Sequence, residues 1–133
     1  MRSMASVGIV LVSHSPQLAA GLRELTAQLG GGHVAVEVAA GAADGGLGTA
    51  YDLVLGAVAR ADSGAGVLVL PDLGSSVLTA RAALLDLGRD EVVLADAPFV
   101  EGAVAAVVTA STGAALGQVL AAAQEAWQVR KLS

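Results

Sequence analysis

The chain has 133 residues, enough for one domain with a real core, and 55% of them are hydrophobic while aromatics make up only 2%. A formal net charge of −5, with seven Lys plus Arg, is a poor footprint for nucleic acid or an anionic membrane surface. The absence of cysteine excludes a disulfide framework and a thiolate metal site, in keeping with a cytoplasmic protein.

A mean hydropathy of +0.71 raises the question of a membrane. Yet charges, glycines or polar residues interrupt every apolar run before the roughly 18–20 residues that a spanning helix needs, so no membrane insertion is expected. Residues 1–16 loosely mimic a signal peptide, but lack a small-residue cleavage site before the polar turn. Residues 1–6 are expected to be a loose start, and 1–133 a single domain without linker or repeat.

Val7–Val12 is a continuous apolar, β-branched run bounded by Ser13, the pattern of a strand buried on both faces. Ser15-Pro16 reads as the N-cap and first position of a helix, since proline's missing N–H is unneeded there. Leu18, Leu22, Leu25 and Leu29 follow at helical spacing as one apolar face, and Gly30–Gly32 stop the helix. Val34, Val36 and Val38 alternate with Ala35 and Glu37, which predicts an edge strand.

Ala40–Gly48 is a glycine-rich loop, after which Thr49 is expected to cap a second helix whose inner face is Val54, Val58 and Ala61. Val67–Leu70 is a second doubly buried strand. Pro71–Ser75 follows as a loop, and Ser75 or Ser76 is expected to cap a third helix that ends at Gly88. Val92–Ala95 gives the fourth strand. Val100, Val104, Val107 and Val108 mark a fourth helix; Leu116, Leu120, Ala123 and Trp127 mark a fifth. The order βαβαβαβα, then α, predicts an α/β fold: an open parallel sheet of four strands with helices on both faces.

Open parallel sheets bind ligands outside the carboxyl ends of their strands, where the strand order reverses. With the second strand at an edge, the order becomes 2-1-3-4, and the reversal lies between the first and third strands. His14 follows the first and Asp72 the third, so topology would bring them to one crevice. One ring nitrogen of a histidine can attack phosphorus if the other is pinned as N–H, and a carboxylate can do the pinning. Asp72 is the candidate. Two helix N-termini, after Ser15-Pro16 and at Ser75-Ser76, would offer amides to a dianion.

Each of these residues also has a plain structural reading. A histidine after a strand serves as well beside a helix cap, Asp72 as a turn former, and His33 as a surface residue at the opposite strand end. Competing sites fail on specific residues. "GAADGGLG" carries no GK[ST] and no G-x-G-x-x-G, so it makes neither a P-loop nor a dinucleotide fingerprint. Ser13 and Ser15 flank His14, but no nucleophile elbow is present. A receiver domain would need an acidic pair where Ser13-His14-Ser15 stands. No metal site and no cofactor is expected.

The blocks "GIVLVSHSPQLAAGL", "LGTA", "VLVLPDLGSSVLTARAALLDL" and "APFVEGAVAAVVTASTGA" together resemble the mannose-type enzyme IIA domains of the bacterial sugar phosphotransferase system. Within these they look most like the DhaM group, the phosphotransferase subunits of phosphoenolpyruvate-dependent dihydroxyacetone kinases. The resemblance runs in order along about the whole chain. It implies that His14 accepts a phosphoryl group from HPr and passes it to ADP bound on the DhaL subunit, which acts with DhaK on dihydroxyacetone.

By the same resemblance, Asp72 matches the carboxylate of the family's D-x-G-S motif. Gly74, Ser75 and Ser76 match the loop near the phosphoryl group, and Gly48-Thr49 a second loop bordering it. Ser15 joins these as a phosphoryl-stabilising residue. The family's "VEG" block falls on Val100–Gly102, where Glu101 reads more simply as a favourable charge in a helix's first turn. Pro71 is a small departure from the pattern. A homodimer is implied, and because some members carry HPr and enzyme I-like domains behind this one, a chain ending at Ser133 would depend on a separate HPr. Two other functions share these features: a mannose-type enzyme IIA for sugar uptake, and a non-catalytic binding module on the same fold.

Overall fold

A computed structural model describes residues 5–30, 32–42 and 49–132. The first four residues of the start expected to be loose, and Gly48 of the second matched loop, lie outside these. Ten elements follow in order. They are β1 (Gly8–Ser13), α1 (Pro16–Leu29), β2 (Val36–Ala40), α2 (Tyr51–Ala61), β3 (Val67–Pro71), α3 (Gly74–Leu87), β4 (Val92–Leu94), α4 (Phe99–Ser111), α5 (Leu116–Glu125) and a 3₁₀ turn (Ala126–Gln128). The four strands form one all-parallel sheet in the order β2-β1-β3-β4. The expected α/β fold is thus the observed one.

Strand periodicity sorts the core into two layers, because successive side chains leave a strand on opposite faces. Ile9 pairs with Leu68 and Leu11 with Leu70, and this face packs under α1, α4 and α5. Val10 pairs with Val69, and that face packs under α2 and α3. All six residues of β1 and all five of β3 are buried, as the unbroken apolar runs require. β2 lies at an edge and leaves Glu37 and Val38 half-buried.

Two helix faces differ from the sequence reading. In α1 the buried residues are Ala19, Leu22 and Thr26, while Leu18, Leu25 and Leu29 stay 46%, 41% and 53% exposed. In α4 the buried residues are Gly102, Ala103, Ala106, Val107 and Ala110, with Val100 and Val108 turned outward. The physical reason is the same in both. Small residues let a helix axis approach the sheet and its neighbours closely, and the gain in contact outweighs burying one larger side chain. Thr26 can sit inside because its hydroxyl donates to the Arg23 carbonyl at 3.0 Å. In α2 the expected face holds, with Ala57 added between Val54, Val58 and Ala61.

Capping also differs at two helices. Thr49 does not cap α2, whose N-cap is Ala50 without a side-chain bond; Thr49 instead makes an isolated parallel bridge with Gly41. Neither Ser75 nor Ser76 caps α3, because the N-cap is Leu73, two or three residues earlier, and the helix starts at Gly74. Both serines are therefore inside the first turn. Ser15 does cap α1, accepting from the Leu18 amide at 3.2 Å, and Gly88 ends α3 in the left-handed conformation at φ 65°. Among the described residues, no helix is long and apolar enough to cross a membrane.

Candidate functional site

The crevice forms where β1 and β3 end side by side. Val12 pairs with Pro71, and the Asp72 amide donates to the Val12 carbonyl at 2.9 Å, so the next residues of both chains emerge together. Pro71 does not break this pairing: it is the last residue of β3, and the ladder passes to Asp72. His14 and Asp72 are thus brought together from 58 positions apart.

Asp72 is half-buried and fully engaged. Its carboxylate accepts from the Ser13 hydroxyl at 2.8 Å, the His14 amide at 3.2 Å and the Leu73 amide at 2.7 Å. Burial pushes its pKa up, but bonds from the Ser76 and Ser13 hydroxyls and from the Leu73 and His14 amides outweigh that and hold it below the ordinary carboxylate range. The expected contact differs in one respect. The carboxylate grips the main chain of His14 rather than its ring.

The missed residue is Ser13. It is completely buried, and its oxygen both donates to Asp72 and accepts from the Ser15 amide at 3.0 Å. One hydroxyl therefore ties the end of β1 to the loop after β3 and to the start of α1. The available signal was a serine closing an otherwise apolar strand, which reads equally as a plain strand boundary.

The ring of His14 lies among three hydroxyls. Ser75 Oγ is 3.1 Å from Nδ1 and 2.8 Å from Nε2. An oxygen so close to both nitrogens cannot lie in the ring plane, where it would overlap the carbon between them. Ser75 therefore contacts the ring from outside its plane and leaves both in-plane lone-pair directions open. Thr49 Oγ1 at 3.4 Å and Ser76 Oγ at 3.5 Å approach Nδ1 only, and they are 3.0 Å from each other. Among the described residues, every hydrogen-bonding side-chain partner of the ring is a hydroxyl.

The α3 N-terminus faces the same crevice. Its N-cap makes no side-chain bond, so the Gly74, Ser75 and Ser76 amides have no capping partner among the described residues. Uncapped first-turn amides and the helix dipole suit an anion. In α1, by contrast, Ser15 already occupies the Leu18 amide, and Pro16 has none to offer.

Other candidate residues lie elsewhere. The exposed His33 bonds the Ser111 carbonyl at 3.1 Å. Glu101 sits in the first turn of α4 and pairs with Lys131 at 2.7 Å, which lowers its pKa. Trp127 is 62% exposed, with Nε1 donating to the Asp96 carbonyl at 3.0 Å. Among the described residues, no three His, Cys, Asp or Glu gather to hold a metal ion.

Comparison with known proteins gives the family. The model of the EIIA-man family, described as the PTS system fructose IIA component, matches residues 8–120. The chain belongs to the EIIA-man family. It is 35% identical, over 94% of its length, to the DhaM phosphoryl donor subunit of the PEP-dependent dihydroxyacetone kinase of Providencia stuartii, and spans 28% of that relative. A DhaM of Listeria innocua, the donor subunit of dihydroxyacetone kinase 2, is 34% identical over 77% of this chain and 84% of its own length. These relatives place the chain among the DhaM members of EIIA-man.

A crystal structure of EF1359, a protein of unknown function, superposes with a TM-score of 0.83 at 34% identity, covering 96% of this chain and 98% of that one. A sigma-54 interaction domain protein from Enterococcus faecalis shares the fold at a TM-score of 0.68 and 17% identity, covering 95% of this chain and 93% of that one.

Proposed function

We propose that this EIIA-man domain is a phosphohistidine carrier, with His14 as the residue that is phosphorylated. The observation that carries the reading is the ring of His14 at the β1/β3 switch point, with hydroxyls on Nδ1 and uncapped α3 amides beside it. Nε2 attacks the phosphorus of a phosphohistidine on HPr. The new N–P bond forms as the donor's N–P bond breaks, and the donor's ring nitrogen leaves with the electron pair. Asp72 and Ser13 fix the His14 main chain, and the Gly74, Ser75 and Ser76 amides take up charge on the phosphoryl oxygens. Phosphoryl transfer needs chiefly such positioning and charge stabilisation.

In the second step, a β-phosphate oxygen of ADP held on DhaL attacks the same phosphorus and His14 Nε2 leaves. The resulting ATP serves dihydroxyacetone phosphorylation on DhaK. The DhaM names of the relatives support this acceptor. The fructose IIA description of the matched family supports a second reading, transfer toward a sugar permease. The carrier is proposed to act in the cytoplasm as a homodimer.

The test is intact mass after incubation with phosphoenolpyruvate, enzyme I and HPr, on wild type and His14→Ala. One phosphoryl gain is expected in wild type only, and it should vanish when DhaL–ADP is added. A gain that survives DhaL–ADP would favour the sugar pathway. A gain in His14→Ala, or none in wild type, would overturn the carrier reading.

A further inference from the structure

We propose that a second cleft, which shares Asp72 with the histidine crevice, seats the nucleotide-bearing acceptor, with Arg81 answering the charge of the diphosphate and Trp127 packing against the acceptor protein. The inference deepens the carrier reading and rests on it, and on ADP held by DhaL as the acceptor.

The cleft lies at the carboxyl ends of β3 and β4, on the side of β3 away from β1. It holds about 400 Å³ between Asp72, Val77 and Arg81 on one side and residues 94–99 and Trp127 on the other. Hydrogen bonds fix its outer wall. The Ala95 amide donates to the Val69 carbonyl at 2.8 Å, the Asp96 amide to Gln124 Oε1 at 3.3 Å, and Trp127 Nε1 to the Asp96 carbonyl at 3.0 Å. A Cβ built on Gly102 would lie 2.9 Å from the Ala97 Cβ, so the first turn of α4 presses on the same loop. Trp127 is thus held by its one polar atom while 62% of it stays open to solvent. A large ring already fixed in place loses little freedom when a partner covers it, which suits it to anchor an interface.

The two transfers make different electrostatic demands. Charging brings one phosphoryl group to His14, and the uncapped α3 amides suit that anion. Discharging brings a nucleoside diphosphate, whose further negative charge arrives beside Asp72, with Asp96 exposed on the same cleft. A chain of net charge −5 needs a cation there to offset the repulsion. Among the described residues, Arg81 is the cation that lines this cleft. It stands on the helix that carries the anion-binding amides, about 7.5 Å along the axis from Ser76. Arg60 is taken up by Glu37, and Arg89 by Asp62 and Glu91. Arg81 makes no ion pair among the described residues, so its planar fork of donors is free to meet phosphate oxygens.

The test measures charging and discharging separately. Wild type, Arg81→Gln, Arg81→Lys and Trp127→Ala are charged by phosphoenolpyruvate, enzyme I and HPr, then discharged into increasing DhaL–ADP. In Arg81→Gln the DhaL–ADP concentration for half-maximal discharge should rise by about tenfold, while the rate of charging from HPr stays at the wild-type value. Arg81→Lys should recover part of the loss, since it restores the charge without the fork. Trp127→Ala should raise the same half-saturation and leave the maximal discharge rate unchanged. Trp127 is the one tryptophan of the chain, so its emission reads docking directly. In a His14→Ala background, which takes no phosphoryl group, that emission should change on adding DhaL–ADP, with a Trp127→Phe blank subtracted. Adding Arg81→Gln should weaken the change.

An unchanged half-saturation in Arg81→Gln, or an equal loss in charging and discharging, would overturn the proposal. If wild type takes no phosphoryl group, the carrier reading falls and the emission of Trp127 still decides the cleft. A change with DhaL–ADP that Arg81→Gln weakens supports it, and any other result overturns it.

Discussion

Asp72 does two jobs at once, and its protonation is the point at which stability and site geometry meet. Its carboxylate is held below the ordinary pKa because the bonds from Ser76, Ser13, Leu73 and His14 outweigh the cost of burial. A carboxyl whose folded pKa is depressed adds stability that is fully present above its unfolded value, about 3.9. That contribution is lost as pH falls through the lower, folded value. Asp72→Asn should therefore cost stability at neutral pH, and the gap to wild type should shrink as the solution is taken below about pH 4. Urea melts across that range check the sign, and a gap independent of pH would count against it. His14 and Asp72 could be named from sequence, because a histidine ending one buried strand and an aspartate ending another are visible letters. The grip of Asp72 on the main chain and the buried hydroxyl of Ser13 were not, since side-chain direction at a strand end is set by partners far along the chain.

At the scale of the element, close approach explains both what was predicted and what was not. A Cβ built on Gly8 would lie 2.1 Å from the Ala61 carbonyl oxygen, so the end of α2 rests directly on the backbone of β1. Gly21 lies on the exposed side of α1 with nothing within 4 Å of such a Cβ. Gly8→Ala should destabilise by about 1–3 kcal/mol through overpacking. Gly21→Ala should stabilise by up to about 1 kcal/mol through helix propensity. Thermal or denaturant unfolding of the pair separates them, and equal effects would contradict the packing account. The same intimacy turned α1 onto Ala19, Leu22 and Thr26 and left three leucines at the surface. Leucine spacing locates the helix correctly, but the face with the larger residues is not the buried one when small residues permit tighter contact.

For the whole molecule, the surface is less polar than the charge count suggests. Leu18, Leu25 and Leu29 of α1, Leu78 and Leu85 of α3, and Val100 and Val108 of α4 all stand exposed. Apolar exposure on this scale favours association, in line with the proposed homodimer. Sedimentation at micromolar concentration should give a particle of twice the 13.0 kDa chain, and a monomer throughout would count against it. The sequence by itself determined the alternation of strands and helices, the doubly buried β1 and β3, the edge position of β2, and hence the crevice holding His14 and Asp72. It could do so because hydrophobic period and the handedness of βαβ crossovers are local rules. Tertiary structure alone decided which helix faces are buried, that Thr49 and Ser76 lie against the His14 ring rather than at a helix cap, and that Asp72 binds backbone instead of ring. Those outcomes depend on ångström-scale packing between segments remote in sequence, where a shift of one to three residues in a helix start turns an expected cap into a neighbour of the histidine ring.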